Sequence, residues 1–237
     1  MQLFCPPTGF SPEIAVLNGM LCIMCMNFEV RDGSFATIDG STDHLTLVNA
    51  GASITGSVYD LQLASGNVSL SGEVDGAEIH GNDYVFTLNS GALLTGNVSI
   101  DNTARIFANA GARIDLDITG KSAGNAAVFQ GLDRVSGLDF TWSVSLSSSQ
   151  KTGVYNLATG SVPADTLKSL ALYVDGVFCG NLAEETTSYH NGVGYLYDLD
   201  ANGNLQLEIN SGVSLSAAMT LDDENQDSGV LDGLLAL

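Results

Sequence analysis

The sequence predicts an all-β protein: a right-handed parallel β-helix, or solenoid, followed by a small antiparallel β module. Three observations predict it. A phrase recurs as LTLVNAGASITGSV from Leu45, LQLASGNVSLSGEV from Leu61, FTLNSGALLTGNV from Phe86 and RIFANAGARIDLDI from Arg105. Each copy is an alternating apolar/polar run, then Asn or Ser with Gly, then a second alternating run, which is the pattern of strand, sharp corner, strand. The copies start 16, 25 and 19 residues apart. Helical repeats need a fixed length to stack, whereas a β-solenoid absorbs extra residues as loops at its corners.

Residues 1–34 read as an apolar leader or an N-terminal cap. Ile14 to Met26 is the most hydrophobic window, Pro6, Pro7 and Pro12 interrupt regular structure, and the first basic residue is Arg31. A secretory signal would carry its basic residues before the apolar core. The segment is therefore expected to be a clipped or non-native leader, or a cover for the first rung, whose unpaired backbone and apolar side chains need one.

Residues 35–120 are expected to form the rungs. The inward positions would be Leu45, Leu47, Ile54, Val58, Leu61, Leu63, Val68, Leu70, Phe86, Leu88, Leu94 and Val98, stacked about 4.8 Å apart into apolar columns. VDGAEIHGNDYV reads as an insertion that lengthens the second interval. Asn49, Asn89 and Asn109 each stand shortly before a Gly, where left-handed geometry and local hydrogen bonding suit a corner, and their amides would stack into a ladder. The N-V-S triplets at Asn67 and Asn97 fit a glycosylation sequon but read as turn chemistry that recurs with the rung.

Residues 121–149 read as a transition with a looser rhythm, carrying the only Trp, Trp142. Residues 150–212 read as an antiparallel module, since GVYNLATG, LALYVDGVFCGNL and VGYLYDLDANGNLQLEI combine strand-forming residues with Asp-Gly and Asn-Gly turns. The clearest hairpin runs from Tyr195 to Leu199, turns around Ala201-Asn202-Gly203 and returns from Leu205 to Ile209. Residues 213–237 are an acidic tail ending in apolar residues.

Composition limits the partners. The 237 residues are 45% hydrophobic, enough for a core, but only 14% charged, with 27 Asp and Glu against 7 Lys and Arg and a formal charge of −20. Such a surface repels phosphate backbones, so nucleic acid and anionic lipid are not expected partners. No run of eighteen apolar residues offers a membrane span.

Site chemistry is sparse. Asp198, Asp200 and Asn202 place alternate oxygens before Gly203, as a calcium loop does. Glu208 falls one residue short of the position an EF-hand needs, and the flanks read as strands, so a hairpin turn is the competing reading. Asp223, Asn225 and Asp227 repeat the spacing with Ser228 in place of Gly, and a solvated tail competes there. Apart from calcium at these positions, no cofactor is expected. Cys22 and Cys25 form a C-x-x-C without the ligands a zinc site needs or the βαβ context of a redox motif. Among the basic residues near the rungs, Arg105, Arg113, Lys121 and Arg134, Arg113 would share a strand face with Asp115 and Asp117. That trio is the choice if the chain is an enzyme, with a surface ion pair as the plainer reading. No G-x-S-x-G, P-loop or H-E-x-x-H motif occurs, so catalytic residues are not assigned.

The phrases LQLASGNVSLSGEV and FTLNSGALLTGNV resemble the passenger repeats of AIDA-type autotransporter adhesins and related bacterial surface proteins, and the later strand-rich stretch resembles the β modules that punctuate such passengers. The likeness covers roughly residues 35–210. It implies a secreted or cell-surface solenoid, whole or part of a longer protein, that adheres to a host or matrix glycan or protein through rows of Thr, Ser and Asn. The competing expectations are a β-helix polysaccharide lyase or hydrolase, with a cleft where acids and a base converge, and a component that self-associates through its solenoid ends.

Overall fold

The computed structural model describes residues 14–17, 20–23, 27–101, 103–161, 167 and 169–211. Ile14–Leu17 and Met20–Ile23 pair with each other as an antiparallel hairpin. From Asn27 onward the chain winds as a parallel β-solenoid with three faces, A, B and C. Among the described residues there is no α-helix, and no helix is long and apolar enough to cross a membrane.

Alternation of period two drives the winding, because one side of every strand must be buried and only the preceding and following turns can bury it. Face A stacks Leu45, Leu61, Ala77, Val98, Phe129 and Ala158. Face B stacks Ala36, Ala52, Val68, Phe86, Ile106 and Val135. Face C stacks Thr42, Val58, Val74, Leu94, Ile114 and Trp142. Every inward position expected from the sequence is buried.

The alignment of the copies differs from the sequence reading after the second. Phe86 lies over Val68 on face B, not over Leu61 on face A. The true partner of Leu61 is Ala77, inside the stretch read as an insertion, and Glu73–Ile79 is a full strand of the stack. All three faces share the same alternation, so periodicity finds the buried side but not the face.

Turn length grows along the stack. On face C the step is 16 residues from Thr42 to Val58 to Val74, 20 from Val74 to Leu94 to Ile114, and 28 from Ile114 to Trp142. Longer turns enclose a wider cross-section, and aromatic side chains fill it. Phe129 and Phe140 meet Trp142 edge-on at centroid distances of 5.8 and 5.5 Å. Thr141–Leu146, in the stretch read as a transition, pairs in parallel with Arg113–Asp117 and then with Leu170–Val174.

Antiparallel strands close the far end on two faces. Leu205–Ser211 pairs with Gly153–Thr159 on face A, and Val177–Leu182 pairs with Leu170–Val174 on face C. The expected hairpin is present, with Tyr195 opposite Ile209 and Leu199 opposite Leu205.

Corner chemistry ties successive turns together. Asn89 and Asn109 stack at the corner from B to C, with Asn109 donating to Asn89 Oδ1 at 3.5 Å and Asn89 donating to Ser69 and Ser71 hydroxyls at 3.0 Å. Asn49 stands outside this ladder. It occupies the corner from A to B with φ 52°, and its backbone N–H donates to Ser65 Oγ.

Leu88 is fully buried between Leu70 and Ala108. Leu88→Ala should cost about 2–5 kcal/mol, and Leu88→Asp should abolish the cooperative melt by burying an unpaired charge. Circular dichroism melting checks both, and an unchanged transition in Leu88→Asp would be incompatible with the register.

Candidate functional site: an acidic cleft at a solenoid corner

At the corner from C to A a glycine stands in each of two successive turns. Gly76 and Gly96 stand there with φ of 87° and 75°, left-handed geometry that glycine adopts freely. A Cβ on Gly96 would lie 2.1 Å from Asp75 Oδ1. The missing side chains leave an open cleft of about 430 Å³. Tyr59, Asp60 and Gln62 line it from the turn on one side, Asp117, Thr119 and Lys121 from the turn on the other, and Asp75, Glu78 and Asn97 from between. Tyr59 exposes half its surface at the rim.

Most of these polar groups are held in place. Asp60 Oδ2 lies 2.6 Å from His44 Nδ1, and its other oxygen accepts from Gln62 Nε2 at 3.3 Å. The second His44 nitrogen lies 2.8 Å from Thr46 Oγ1. Asp117 Oδ1 accepts the Thr119 backbone N–H at 2.8 Å, and Lys121 reaches Asn97 Oδ1 at 3.5 Å. Burial, and secondly the negative charge of Asp117, push the Asp75 carboxyl above its ordinary value. The cleft thus holds two carboxyl groups from turns two apart, Asp75 displaced towards its neutral form and Asp117 tied to a backbone N–H.

The trio singled out in the sequence is not gathered into a site. Arg113 lays its guanidinium over the Tyr173 ring at 4.8 Å, and no ion pair joins it to Asp115 or Asp117. Between Arg113 and Tyr173 on the outer side of face C lie Asp115 and Ser143, 5% and 0% exposed. Asp115 accepts hydrogen bonds from Ser143 Oγ at 2.5 Å and Thr95 Oγ1 at 3.4 Å. Its carboxylate is therefore part of a covered polar column, and only Asp117 faces the cleft. Arg105 donates to the Ala104 carbonyl at 2.8 Å.

In the loop proposed for calcium, Asp200 closes the hairpin. It accepts from the backbone N–H groups of Asn202 and Asn204 at 2.8 and 2.9 Å and from the Asn204 amide at 3.0 Å. These donors, the Asn204 N–H first, hold its carboxyl below the ordinary value. Asp198 accepts the neighbouring Leu199 N–H at 2.6 Å. Among the described residues no group of three or more His, Cys, Asp or Glu is placed to hold a metal ion. Asp223, Asn225 and Asp227 lie outside the described residues, as do Cys5, Cys25 and the Cys22 side chain. Asn67 and Asn97 are both exposed, on different faces.

Sequence reasoning missed Asp75, Asp60, Glu78 and Tyr59. A signal was present: Val74-Asp-Gly76 and Leu94-Thr-Gly96 each place Gly two residues after an inward apolar residue, which marks one corner in adjacent turns. The fold defines the class as a parallel β-solenoid capped by antiparallel strands. No protein-family model, curated protein or solved structure matches the chain.

Two outcomes follow. With its folded pKa above the ordinary 3.8, Asp75 binds more protons folded than unfolded between 3.8 and the raised value, so its contribution to stability falls as pH rises through that window. Asp75→Asn should therefore melt above the parent at pH 7, with the gap closing below pH 3.8; equal melting at pH 7 would contradict the burial of this carboxylate. Asp200→Ala should lower the melting temperature equally in calcium and in chelator, and a calcium-dependent difference would make the loop a cation site.

Proposed function

We propose that the protein is a non-catalytic binding solenoid of the cell surface or extracellular space, which holds a neutral or amino-sugar glycan in the cleft and along face A. The observation that carries this reading is the cleft itself, concave and polar, with the exposed Tyr59 ring at its rim and fixed hydrogen-bonding groups behind it. An amphipathic ring beside amide and carboxylate acceptors suits the apolar face and hydroxyl edge of a sugar.

The outer row of face A extends the path. Glu29, Thr46, Gln62, Glu78, Ser99, Gln130 and Thr159 stack in register, one from each turn. Their spacing of about 4.8 Å repeats along the solenoid axis, so a chain of hydroxyl-bearing units lying on that axis would meet similar groups turn after turn. The formal charge of −20 favours neutral or cationic glycans over acidic ones. The likeness of the rungs to AIDA-type adhesin passengers agrees with surface display.

A second reading has its own support. A carboxyl displaced upward by burial and by a second acid is a feature glycoside hydrolases use, and Asp75, with Asp117 as the second acid, has it, with Asp75 in the acid role. A lyase acting on acidic polymers fits less well, because among the described residues Lys121 is the only cation lining the cleft.

An array of neutral, amino-sugar and acidic oligosaccharides tests both readings. Retention of neutral or amino-sugar glycans is expected, with Tyr59→Ala weakening it about tenfold, a truncation cost of about 1.4 kcal/mol. Binding unaffected by Tyr59→Ala, or confined to acidic glycans, would overturn the site. The bound oligosaccharide should stay intact on incubation; new reducing ends that disappear in Asp75→Asn would favour the hydrolase.

A further inference from the structure

The antiparallel cap carries a pair of side chains that the cleft does not use. Leu170–Val174 and Val177–Leu182 are joined by Asp175-Gly176, whose φ values of 49° and 76° are those of a two-residue type I′ hairpin loop. Ser188–His190 and Val193–Leu199 are joined in the same way by Asn191-Gly192, at 50° and 77°. Both loops match the twist of their strands, so each hairpin has a fixed register.

In the first hairpin the register slips by one residue. Leu172 faces Gly180 and Tyr173 faces Phe178, which leaves Cys179 as the extra residue of a β-bulge. A bulge takes a side chain out of the regular alternation and re-aims it. Here it brings the half-buried, free Cys179 thiol to 3.3 Å from Nε2 of His190, in the second hairpin. The sulfur also donates to the Val177 carbonyl at 3.2 Å, and the Asn191 amide lies 3.0 Å from the same His190 nitrogen. The Asn191 amide and the thiol share the His190 Nε2 lone pair as acceptor, and the single thiol proton is directed either to that nitrogen or to the Val177 carbonyl. A cysteine kept only for packing would point into the core; this one sits at the core's edge beside a base.

We propose that Cys179 and His190 form a nucleophilic thiol–imidazole pair that exchanges with low-molecular-weight disulfides, making Cys179 a site of reversible S-thiolation. The thiol proton passes to His190 Nε2 and the thiolate attacks one sulfur of the disulfide. A Cys179–S bond forms, the original S–S bond breaks, and the departing thiolate takes the proton from the imidazolium. No external oxidant is needed, because the disulfide is itself reduced. Tyr195 on the neighbouring strand is buried and within electrostatic reach of both Cys179 and Asp175, and the Asp175 carboxylate accepts the Ser148 backbone N–H at 3.1 Å. An imidazolium beside a sulfur favours its thiolate form.

The test uses the full chain, with the four cysteines resolved by peptide mass spectrometry. Oxidised glutathione at pH 7 should form a mixed disulfide at Cys179, reversed by a reducing thiol. Alkylation by iodoacetamide should slow about tenfold in His190→Gln at pH 7 and match the parent near pH 10, where any thiol is ionised. Convergence at high pH separates proton transfer from lost access, which would slow the variant at every pH. Equal rates at pH 7, slowing at every pH, or no mixed disulfide would overturn the proposal. If His190→Gln does not fold, the parent's pH profile decides: an inflection for Cys179 below the ordinary thiol value of about 8.5 supports the pair, and one at or above it rejects it.

Discussion

The fold rests on parallel main-chain pairing that sets each residue directly over its counterpart one turn away. The ladder alone would fix spacing but not register, because backbone groups are the same at every residue. Register comes from burial. A one-residue slip would turn Leu45, Leu61 and Ala77 outward together, exposing a whole column. The stack is thus held by many equivalent contacts, each weak without its neighbours, and its stability is nearest-neighbour in kind.

The same constraint makes the outer surface repetitive. Whatever the inward alternation forces inside, the alternate residues form rows outside, and polar rows such as Thr37, Ser53, Ser69 and Thr87 on face B arise without selection for a site. Distinct chemistry then needs a break in the repeat. The cleft arises where glycine replaces side chains at one corner, and the Cys179 pair where a bulge interrupts a hairpin. Both are local departures set on a regular frame, which is how rigid scaffolds position functional groups.

This explains what the sequence disclosed. Alternation identified the buried residues from Leu45 to Val98, and the N-x-G corners identified the stacked pair Asn89 and Asn109. It could not assign Phe86 to a face, because that depends on how many residues each corner takes up. The cleft was illegible for the same reason. Asp75 and Asp117 are far apart in the chain and meet only because two turns of 20 residues intervene on face C. Asp115 showed the opposite failure: its outward place was readable, but the cover from Tyr173, with the Arg113 guanidinium over its ring, comes from a strand whose pairing the sequence left open.

The acidic charge meets the stacking constraint in a specific way. Residues in register sit about 4.8 Å apart, so like charges directly opposite would repel and destabilise the sheet. Among the described registered pairs no acid faces an acid. Asp75 faces Thr95, Asp115 faces Thr95 and Ser143, Glu78 faces Gln62 and Ser99, and Asp117 faces Ser145. Spacing acids with neutral side chains, several of them hydroxyls that can donate, lets a strongly acidic chain stack. The rule governs registered neighbours and does not reach across a corner. At the corner of Gly76 and Gly96, Asp75 and Asp117 come close enough for one charge to displace the titration of the other. A chain that spaces its registered acids so consistently elsewhere leaves these two unspaced there, and that departure, joined to the cleft's shape, sets the corner apart from the repetitive surface around it.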